Sequence, residues 1–110
     1  MDKCASLEEV RAHIDRLDHD FVALLAERGS YVKQAARFKK NSDEVRAPHR
    51  VEQVIARVTS LATELGANPV VVDAVYRAMI AAFIEVEMAA ALGSDTSRDR
   101  KGGEADLVPR

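Results

Sequence analysis

Residues 7–38 decide the fold, and they read LEEVRAHIDRLDHDFVALLAERGSYVKQAARF. An apolar residue recurs there every three or four positions, which is the period of one face of an α-helix. The stripe comprises Leu7, Val10, Ile14, Leu17, Phe21, Leu24, Val32, Ala35 and Phe38. Arg28 occupies one of its positions, where the pattern otherwise places a large apolar side chain. We predict one long helix whose stripe is the buried face of a helical bundle.

This first helix is predicted to begin at Ser6 and to end near Lys39. Ser6 and Glu9 have the spacing of a capping box, which is typical of a helix start. A helix of this length measures about 50 Å, which exceeds the diameter of a compact domain of this size. Gly29 could break it, because glycine costs up to about 1 kcal/mol inside a helix. We favour a continuous helix, since the apolar stripe keeps its phase across Gly29.

Two shorter helices complete an all-α, three-helix chain. The polar segment 40–47 has no apolar period and is predicted to be a loop. The second helix is predicted from Pro48 to Leu65 with Gly66 as its stop, and the third from Pro69 to about Leu92, ended by Gly93. The apolar residues of the second helix fall on one face, which comprises Val51, Val54, Ile55, Val58, Leu61, Ala62 and Leu65. The first helix is much longer than its companions, so part of its stripe is left uncovered. Pairing of two chains would bury that part.

The composition fits one small domain and shows no bias toward polyanionic partners. The chain has 110 residues, no Trp, and a net charge of −2 with both signs mixed along it. We therefore expect neither nucleic acid nor a membrane among its partners. Cys4 is the only cysteine and cannot form an intrachain disulfide, which favours a reducing compartment. The first residues contain no apolar run like that of a signal peptide, so the expected location is the cytoplasm.

We divide the chain into a helical domain, residues 1–92, and a tail, residues 93–110. The tail is polar and has no hydrophobic period, which predicts disorder. Its last four residues, Leu-Val-Pro-Arg, match a thrombin cleavage site and are predicted to be the remnant of an expression tag. We assign no function to them.

Four basic residues occupy positions at which their charge is not expected to stabilise the helices. Arg28 and Lys39 are eleven positions apart, so they differ by about 20° around a helix and lie roughly 16 Å apart along it. Arg50 falls in the first turn of the second helix, where the macrodipole disfavours a cation but favours a bound carboxylate. Arg11 is about 25 Å from Arg28, too far for the same pocket in one chain but within reach of a partner's pocket. A bound anion explains this set, and so do snorkelling or ion-paired side chains.

Glu87 adds a carboxyl group to these cations. It continues the inward stripe of the third helix, which comprises Tyr76, Met79, Ile80 and Phe83. A carboxyl group in apolar surroundings can remain protonated and donate a hydrogen bond. Alternatively, Glu87 forms a structural salt bridge with Arg28 or Arg50. No metal-ligand spacing, nucleophile motif or glycine-rich phosphate loop accompanies these residues.

Five segments that contain these residues resemble the all-helical chorismate mutase family, including its isochorismate pyruvate lyase branch. They are VRAHIDRLD at 10–18, ALLAER at 23–28, YVKQAARFK at 31–39, APHRV at 47–51 and FIEVE at 83–87. The resemblance covers residues 6–90, and the order and spacing of the segments are more specific than any one of them. It implies an intertwined homodimer of three-helix chains in which the long first helices pair.

The resemblance also implies the chemistry and its residues. Arg11 would cross to the partner's site, while Arg28, Lys39 and Arg50 would serve the site of their own chain. The substrates are small dicarboxylates with an enolpyruvyl ether, and the reaction is pericyclic, needing no cofactor, metal or nucleophile. Lys39 and Glu87 are expected to contact the ether oxygen, where charge builds as the C–O bond stretches.

The binding of the carboxylates and the ring is implied in the same way. Arg11 and Arg28 are expected to hold the side-chain carboxylate, and Arg50 the ring carboxylate. The ring pocket would be lined by Ala35, Ile80 and Ile84, and the loop 40–47 would close over it.

Departures from the mutase patterns favour the lyase branch. Many bacterial mutases have Gln at the position of Glu87, and a Glu must be protonated to donate, so activity is expected to fall at high pH. Mutases often have acidic residues at the positions of Ala47 and Val51, which hold the C4 hydroxyl of chorismate, and neither residue here can do so. The segments APHRV and YVKQAARFK also match patterns of the lyase branch.

The expected function is therefore isochorismate pyruvate lyase activity, giving salicylate and pyruvate, together with chorismate mutase activity, giving prephenate. A dedicated chorismate mutase or an aminodeoxychorismate mutase is the alternative within the family. A non-catalytic helical regulatory dimer that has kept the anion pocket is the alternative from another class.

Overall fold

The computed structural model describes residues 3–96, with side chains as far as residue 90. Four helices follow one another: α1 Leu7–Ala36, α2 Ser42–Arg46, α3 Pro48–Leu65 and α4 Pro69–Thr96. No strand occurs within this part of the chain, and the predicted all-α class is confirmed. None of the described helices combines the length and hydropathy that crossing a membrane requires.

The start of α1 has the predicted Ser6 cap, and Glu9 reaches back to the N–H one residue before the one it would bond in a standard capping box. Ser6 Oγ accepts a hydrogen bond from the backbone N–H of Glu9 at 3.1 Å. Glu9 Oε1 accepts one in return from the backbone N–H of Ala5 at 2.5 Å. The two bonds fix the direction in which the chain enters the helix and satisfy N–H groups that have no partner within it.

α1 continues without a break through Gly29, as predicted, and the contact with α4 explains why glycine stands there. A Cβ atom at position 29 would lie 3.0 Å from Cε1 of Phe83. The absence of that atom lets the Phe83 ring pack directly on the backbone of α1. The closer approach of the two helices offsets the cost of glycine in a helix, which is up to about 1 kcal/mol.

α2 corrects the prediction that residues 40–47 form a loop. Asn41 Oδ1 accepts a hydrogen bond from the backbone N–H of Glu44 at 2.9 Å, and Glu44 Oε1 accepts one from the backbone N–H of Lys40 at 2.8 Å. The arrangement repeats that at the start of α1, with an acidic residue three positions after the cap that bonds the N–H just before the cap. A five-residue helix is too short to show an apolar period, so the cap is the only signal that the sequence offers.

One residue, Ala47, connects α2 to α3. It adopts the left-handed conformation, with φ 35° and ψ 62°, and no side chain caps α3 in its place. The left-handed conformation costs an alanine roughly 1–2 kcal/mol. Pro48 then occupies the first turn of α3, as predicted, where its fixed φ suits the helix. This sharp turn determines where the first turn of α3, with Arg50, lies.

The hydrophobic core lies between α3 and α4. Its buried members are Val54, Ile55, Val58 and Ala62, and the sequence pattern had predicted all four for the inner face of α3. α3 ends, as predicted, at Gly66, whose φ of 80° is left-handed. Leu61 and Leu65, predicted for the same inner face, are exposed in the single chain. The inner face of α3 is therefore covered over its middle turns and open toward its end.

The apolar stripe of α1 is largely exposed in the single chain. No residue of α1 is fully buried, and Phe21 and Leu24 are 56% and 64% exposed. The molecule measures 55 × 31 × 17 Å, so its longest dimension is about three times its shortest. The single chain therefore does not bury this stripe, contrary to the prediction that it is the buried face of a bundle. It does leave part of the stripe uncovered, as we expected from the length of the helix.

α4 continues to Thr96, past Gly93, which was predicted to end it. A single glycine raises the free energy of a helix by only about 1 kcal/mol, and the run of alanines before it favours helix. The predicted disordered tail thus overlaps the helix at residues 93–96. Residues 97–110, with the terminal Leu-Val-Pro-Arg, lie outside the described part of the chain.

A surface network joins α3 to α4. Arg77 donates hydrogen bonds to both carboxylate oxygens of Glu52, at 2.9 and 3.1 Å, and a third to Asp73 at 2.9 Å. The hydrogen bonds and the charge of the guanidinium hold the pKa of the Glu52 carboxyl below its ordinary value of 4.5. Both groups are exposed, so water and salt screen the attraction and its contribution to stability is small.

Replacing Glu52 with glutamine is expected to lower the melting temperature slightly at neutral pH, and not in acid. Because folding lowers the Glu52 pKa, the stabilisation is present above 4.5 and is lost as the pH falls through the folded-state value. Thermal unfolding followed by circular dichroism across this range, at low and high salt, measures the effect. Glu64→Gln, at an exposed site on the same helix, is the matched control. A loss that does not depend on pH would contradict the role of the pair.

Candidate active site

The second half of α1 and the stretch of α4 from Tyr76 to Glu87 lie side by side and run in the same direction. Arg28 of α1 lies opposite Tyr76 of α4. Lys39, just beyond the end of α1, lies opposite Glu87. Both steps along the chain are eleven residues, or about 16 Å along a helix. These two facing pairs mark the two ends of the candidate active site.

Lys39 and Glu87 form the first pair. Lys39 Nζ is 3.5 Å from Glu87 Oε2, and the side chains are 24% and 11% exposed. Glu87 Oε2 is buried and accepts no hydrogen bond from the described residues. The contact is therefore ionic, longer than a charge-assisted hydrogen bond, and leaves the carboxyl group able to form another. The salt bridge that the sequence suggested for Glu87 exists, but its partner is Lys39 and not Arg28 or Arg50.

Lys39 reaches this position although α1 ends at Ala36, three residues before the predicted end. The backbone N–H groups of Phe38 and Lys39 bond to the carbonyls of Ala35 and Ala36, at 3.0 and 3.1 Å. Bonds that span three residues are those of the tighter 3₁₀ turn. The chain therefore continues to wind beyond α1, and Lys39 still faces α4.

Arg28 and Tyr76 form the second pair. Arg28 Cζ is 5.7 Å from the centroid of the Tyr76 ring, and both residues are half-buried. Within the described part of the chain Arg28 makes no hydrogen bond or ion pair. The face of an aromatic ring attracts a cation through its quadrupole and occupies none of its N–H groups. Arg28 therefore keeps its charge and its donors available for an anion.

Tyr76 was predicted only as a member of the inward stripe of the third helix, without a role in the site. A signal for it was present in the sequence. Tyr76 precedes Glu87 by eleven residues, the same separation as between Arg28 and Lys39. Two parallel helices with equal separations place their residues opposite one another in pairs.

The other predicted residues differ in how close they come to these two pairs. Ile80 and Ile84 are half-buried on the stretch of α4 between Tyr76 and Glu87, and their predicted place in a ring pocket stays a prediction. Ala35 is exposed in the last turn of α1. Arg50 is exposed in the first turn of α3 and makes no ion pair with the described residues. Within one chain it therefore joins neither the Lys39–Glu87 pair nor the Arg28–Tyr76 pair.

Arg11 is remote from the site of its own chain. It is exposed in the first half of α1, seventeen residues before Arg28. That separation corresponds to about 25 Å along the helix. Within one chain, Arg11 therefore lies outside the candidate active site that contains Arg28 and Lys39.

Comparison with known proteins identifies the class to which this site belongs. Residues 10–88, which include both facing pairs, match the family model of chorismate mutase type II. The chain belongs to the chorismate mutase type II family. It is also similar to the isochorismate pyruvate lyase of Pseudomonas aeruginosa, with 35% identity over 77 residues, or 70% of this chain and 76% of that protein.

These matches confirm the resemblance seen in the five sequence segments. The chain is an enzyme of this family, with a pericyclic activity of the chorismate mutase and isochorismate pyruvate lyase kind. The alternative of a non-catalytic regulatory dimer loses its support.

Proposed function

We propose that this chain is an isochorismate pyruvate lyase that also has chorismate mutase activity. In the lyase reaction the C–O bond of the enolpyruvyl ether breaks, and a ring hydrogen moves to the methylene carbon of the departing group. The products are salicylate and pyruvate, and no other reactant is needed. In the mutase reaction the same C–O bond breaks while a C–C bond forms, which gives prephenate. The Lys39–Glu87 pair is the observation that carries this proposal.

The preference for isochorismate rests on the junction between α2 and α3. Ala47 and Val51 are half-buried there, and neither side chain can accept a hydrogen bond from the C4 hydroxyl of chorismate. Glu52, the next residue, is occupied by Arg77. Burying a hydroxyl without a partner costs about 1–3 kcal/mol, and here that cost would fall on chorismate. The similarity to the lyase of Pseudomonas aeruginosa supports the same preference.

Lys39 is the residue that we assign to the ether oxygen. That oxygen gains negative charge as the C–O bond stretches, and a cation fixed beside it stabilises the transition state more than the ground state. An ionised Glu87 would repel the same oxygen. Only the protonated carboxyl group of Glu87 could donate a second hydrogen bond to that oxygen, and this is the role we propose for it.

The cations at the other positions would hold the carboxylates. Arg28 is proposed to bind the side-chain carboxylate together with Arg11 of the partner subunit. Arg50 and the N-terminus of α3, which has no side-chain cap, would bind the ring carboxylate through N–H donors. The apolar side chains of Ile80 and Ile84, with Ala35, would line the ring.

The active form is proposed to be a homodimer that pairs through α1. The exposed apolar positions of α1 alternate in steps of three and four, which is the spacing of a coiled-coil seam. They are Leu7, Val10, Ile14, Leu17, Phe21 and Leu24. An antiparallel pair with its two-fold axis between Leu17 and Phe21 would bring Arg11 of the partner subunit level with Arg28. The same pairing would cover the stripe and complete the site.

A dedicated chorismate mutase or an aminodeoxychorismate mutase remains the second candidate, because the family match over residues 10–88 is common to these activities. Steady-state assays with isochorismate, chorismate and aminodeoxychorismate separate them. We expect salicylate and pyruvate from isochorismate at a higher kcat/KM than prephenate from chorismate. Mutase turnover without any salicylate would reject the lyase assignment alone. A folded dimer that turned over none of the three would reject the proposed function.

Replacing Glu87 with glutamine is expected to remove the fall in activity at high pH. Glutamine donates a hydrogen bond at every pH, whereas Glu87 donates only when protonated. The wild-type kcat/KM should decline as the pH rises, and the Glu87→Gln profile should stay flat over the same range. Glu85→Gln, an exposed position two residues away, is the control and should keep the wild-type profile. Equal profiles for wild type and Glu87→Gln would contradict the role of Glu87 as a donor.

A further inference from the structure

We propose that Tyr76 is a positioning residue, whose ring holds the Arg28 guanidinium ready for a substrate carboxylate without neutralising it. The inference rests on the proposed function for the kind of ligand, a dicarboxylate. It concerns how the Arg28 end of the site is prepared before the ligand arrives.

The argument begins with the problem that Arg28 poses. A half-buried guanidinium must be stabilised, since it cannot lose its proton. A carboxylate would stabilise it but would also occupy its donors and cancel its charge. Arg77 illustrates this outcome, because it spends three hydrogen bonds on Glu52 and Asp73. Arg28 instead has the Tyr76 ring at 5.7 Å and no acidic partner among the described residues.

The ring also reduces the entropy that binding must remove. An arginine side chain has many rotamers, and ordering it on binding weakens the affinity. Contact with the face of Tyr76 orders the guanidinium beforehand while its N–H edge stays free. Tyr76 thus acts through Arg28 and need not touch the substrate.

The position of the pair determines which kinetic constant should change. Tyr76 is eleven residues from Glu87 on α4, so its ring contacts Arg28 and not Lys39, and it can act on the substrate only through the carboxylate that Arg28 holds. A carboxylate that does not react is held equally in the ground state and the transition state. Loss of such uniform binding raises KM and leaves kcat nearly unchanged.

The test compares Tyr76→Leu, which removes the ring, with Tyr76→Phe, which keeps it. Calorimetry with a bicyclic ether dicarboxylate that mimics the cyclic transition state should show about tenfold weaker binding for Tyr76→Leu. KM should rise by a similar factor while kcat changes by less than about threefold. Tyr76→Phe should match the wild type in both measurements. Arg77→Gln, at the next residue of α4, controls for a general loosening of the helix and should lower stability without changing KM.

Two further measurements separate positioning from direct contact and from damage to the fold. In an Arg28→Gln background, Tyr76→Leu should cause no further loss of binding. The Nε–H resonance of Arg28, recorded without ligand, should carry a ring-current shift that Tyr76→Phe keeps and Tyr76→Leu removes. Tyr76→Met takes the place of the leucine variant if that variant does not fold.

Several outcomes would overturn the proposal. These are unchanged affinity in Tyr76→Leu, an equal loss in Tyr76→Phe, a full further loss in the Arg28→Gln background, or a wild type that does not bind the dicarboxylate. Failure of the proposed function looks different. In that case the wild type turns over neither isochorismate nor chorismate, yet the dicarboxylate affinities and the Arg28 resonance still follow the pattern expected for Tyr76.

Discussion

Replacing Lys39 with alanine is expected to lower kcat by at least about a hundredfold, the usual loss when a transition-state donor is removed. Lys39 provides the cation nearest to Glu87, at 3.5 Å, and we assign it to the ether oxygen. The charge on that oxygen develops only as the C–O bond breaks. The loss should therefore appear in kcat, with a smaller change in KM.

The loss of Lys39 also leaves the buried Glu87 without its ionic partner, which could reduce stability for a reason unrelated to catalysis. The double variant Lys39→Ala/Glu87→Gln removes that complication, since a neutral amide needs no counter-ion. It should fold at least as well as Lys39→Ala and stay as slow. Lys33→Ala, on the exposed side of the last turns of α1, is the matched control and should keep wild-type kcat. Wild-type kcat in either Lys39 variant would contradict the assignment.

Replacing Arg11 with alanine should be equally damaging, although Arg11 is exposed and lies about 25 Å from Arg28 in its own chain. The proposed dimer accounts for this, because Arg11 would complete the carboxylate site of the partner subunit. Loss of one bidentate cation that is buried in the complex should lower kcat/KM by about a hundredfold or more. Arg16→Ala, a little further along the same half of α1 and also exposed, is the control and should have nearly wild-type kcat/KM.

The helices that the sequence predicted well are those whose boundaries depend on local chemistry. Ser6 begins α1, Pro48 begins α3 and Gly66 ends α3, each through hydrogen bonds or backbone angles set by nearby residues. Continuity through Gly29 was also predicted, although its cause, the Phe83 ring, lies on another helix. α2 was missed because a five-residue helix is too short to show a hydrophobic period, which leaves the cap at Asn41 as its signal.

The site was predictable around each helix but not between helices. Angular spacing alone placed Arg28 and Lys39 on one face and Glu87 on the inward face of the third helix. It could not determine which cation meets Glu87, since that depends on how far α4 is shifted along α1. The contact of Gly29 with Phe83 helps to set that shift, and it brings Glu87 to Lys39 and Tyr76 to Arg28. Tertiary contacts of this kind leave no trace in the period of a single helix.

The central claim is that each active site draws on two chains, and subunit complementation tests it most directly. Arg11→Ala and Arg28→Ala proteins, each nearly inactive at substrate concentrations well below KM, are mixed, unfolded and refolded together, and the pool is assayed at those concentrations. In a mixed dimer one site receives both intact arginines and the other receives neither. If subunits pair at random, about half of the dimers are mixed, so the pool should recover about a quarter of the wild-type activity. A refolded pool no more active than its two parents would contradict the account, because it would mean that Arg11 and Arg28 act in the same chain or not at all.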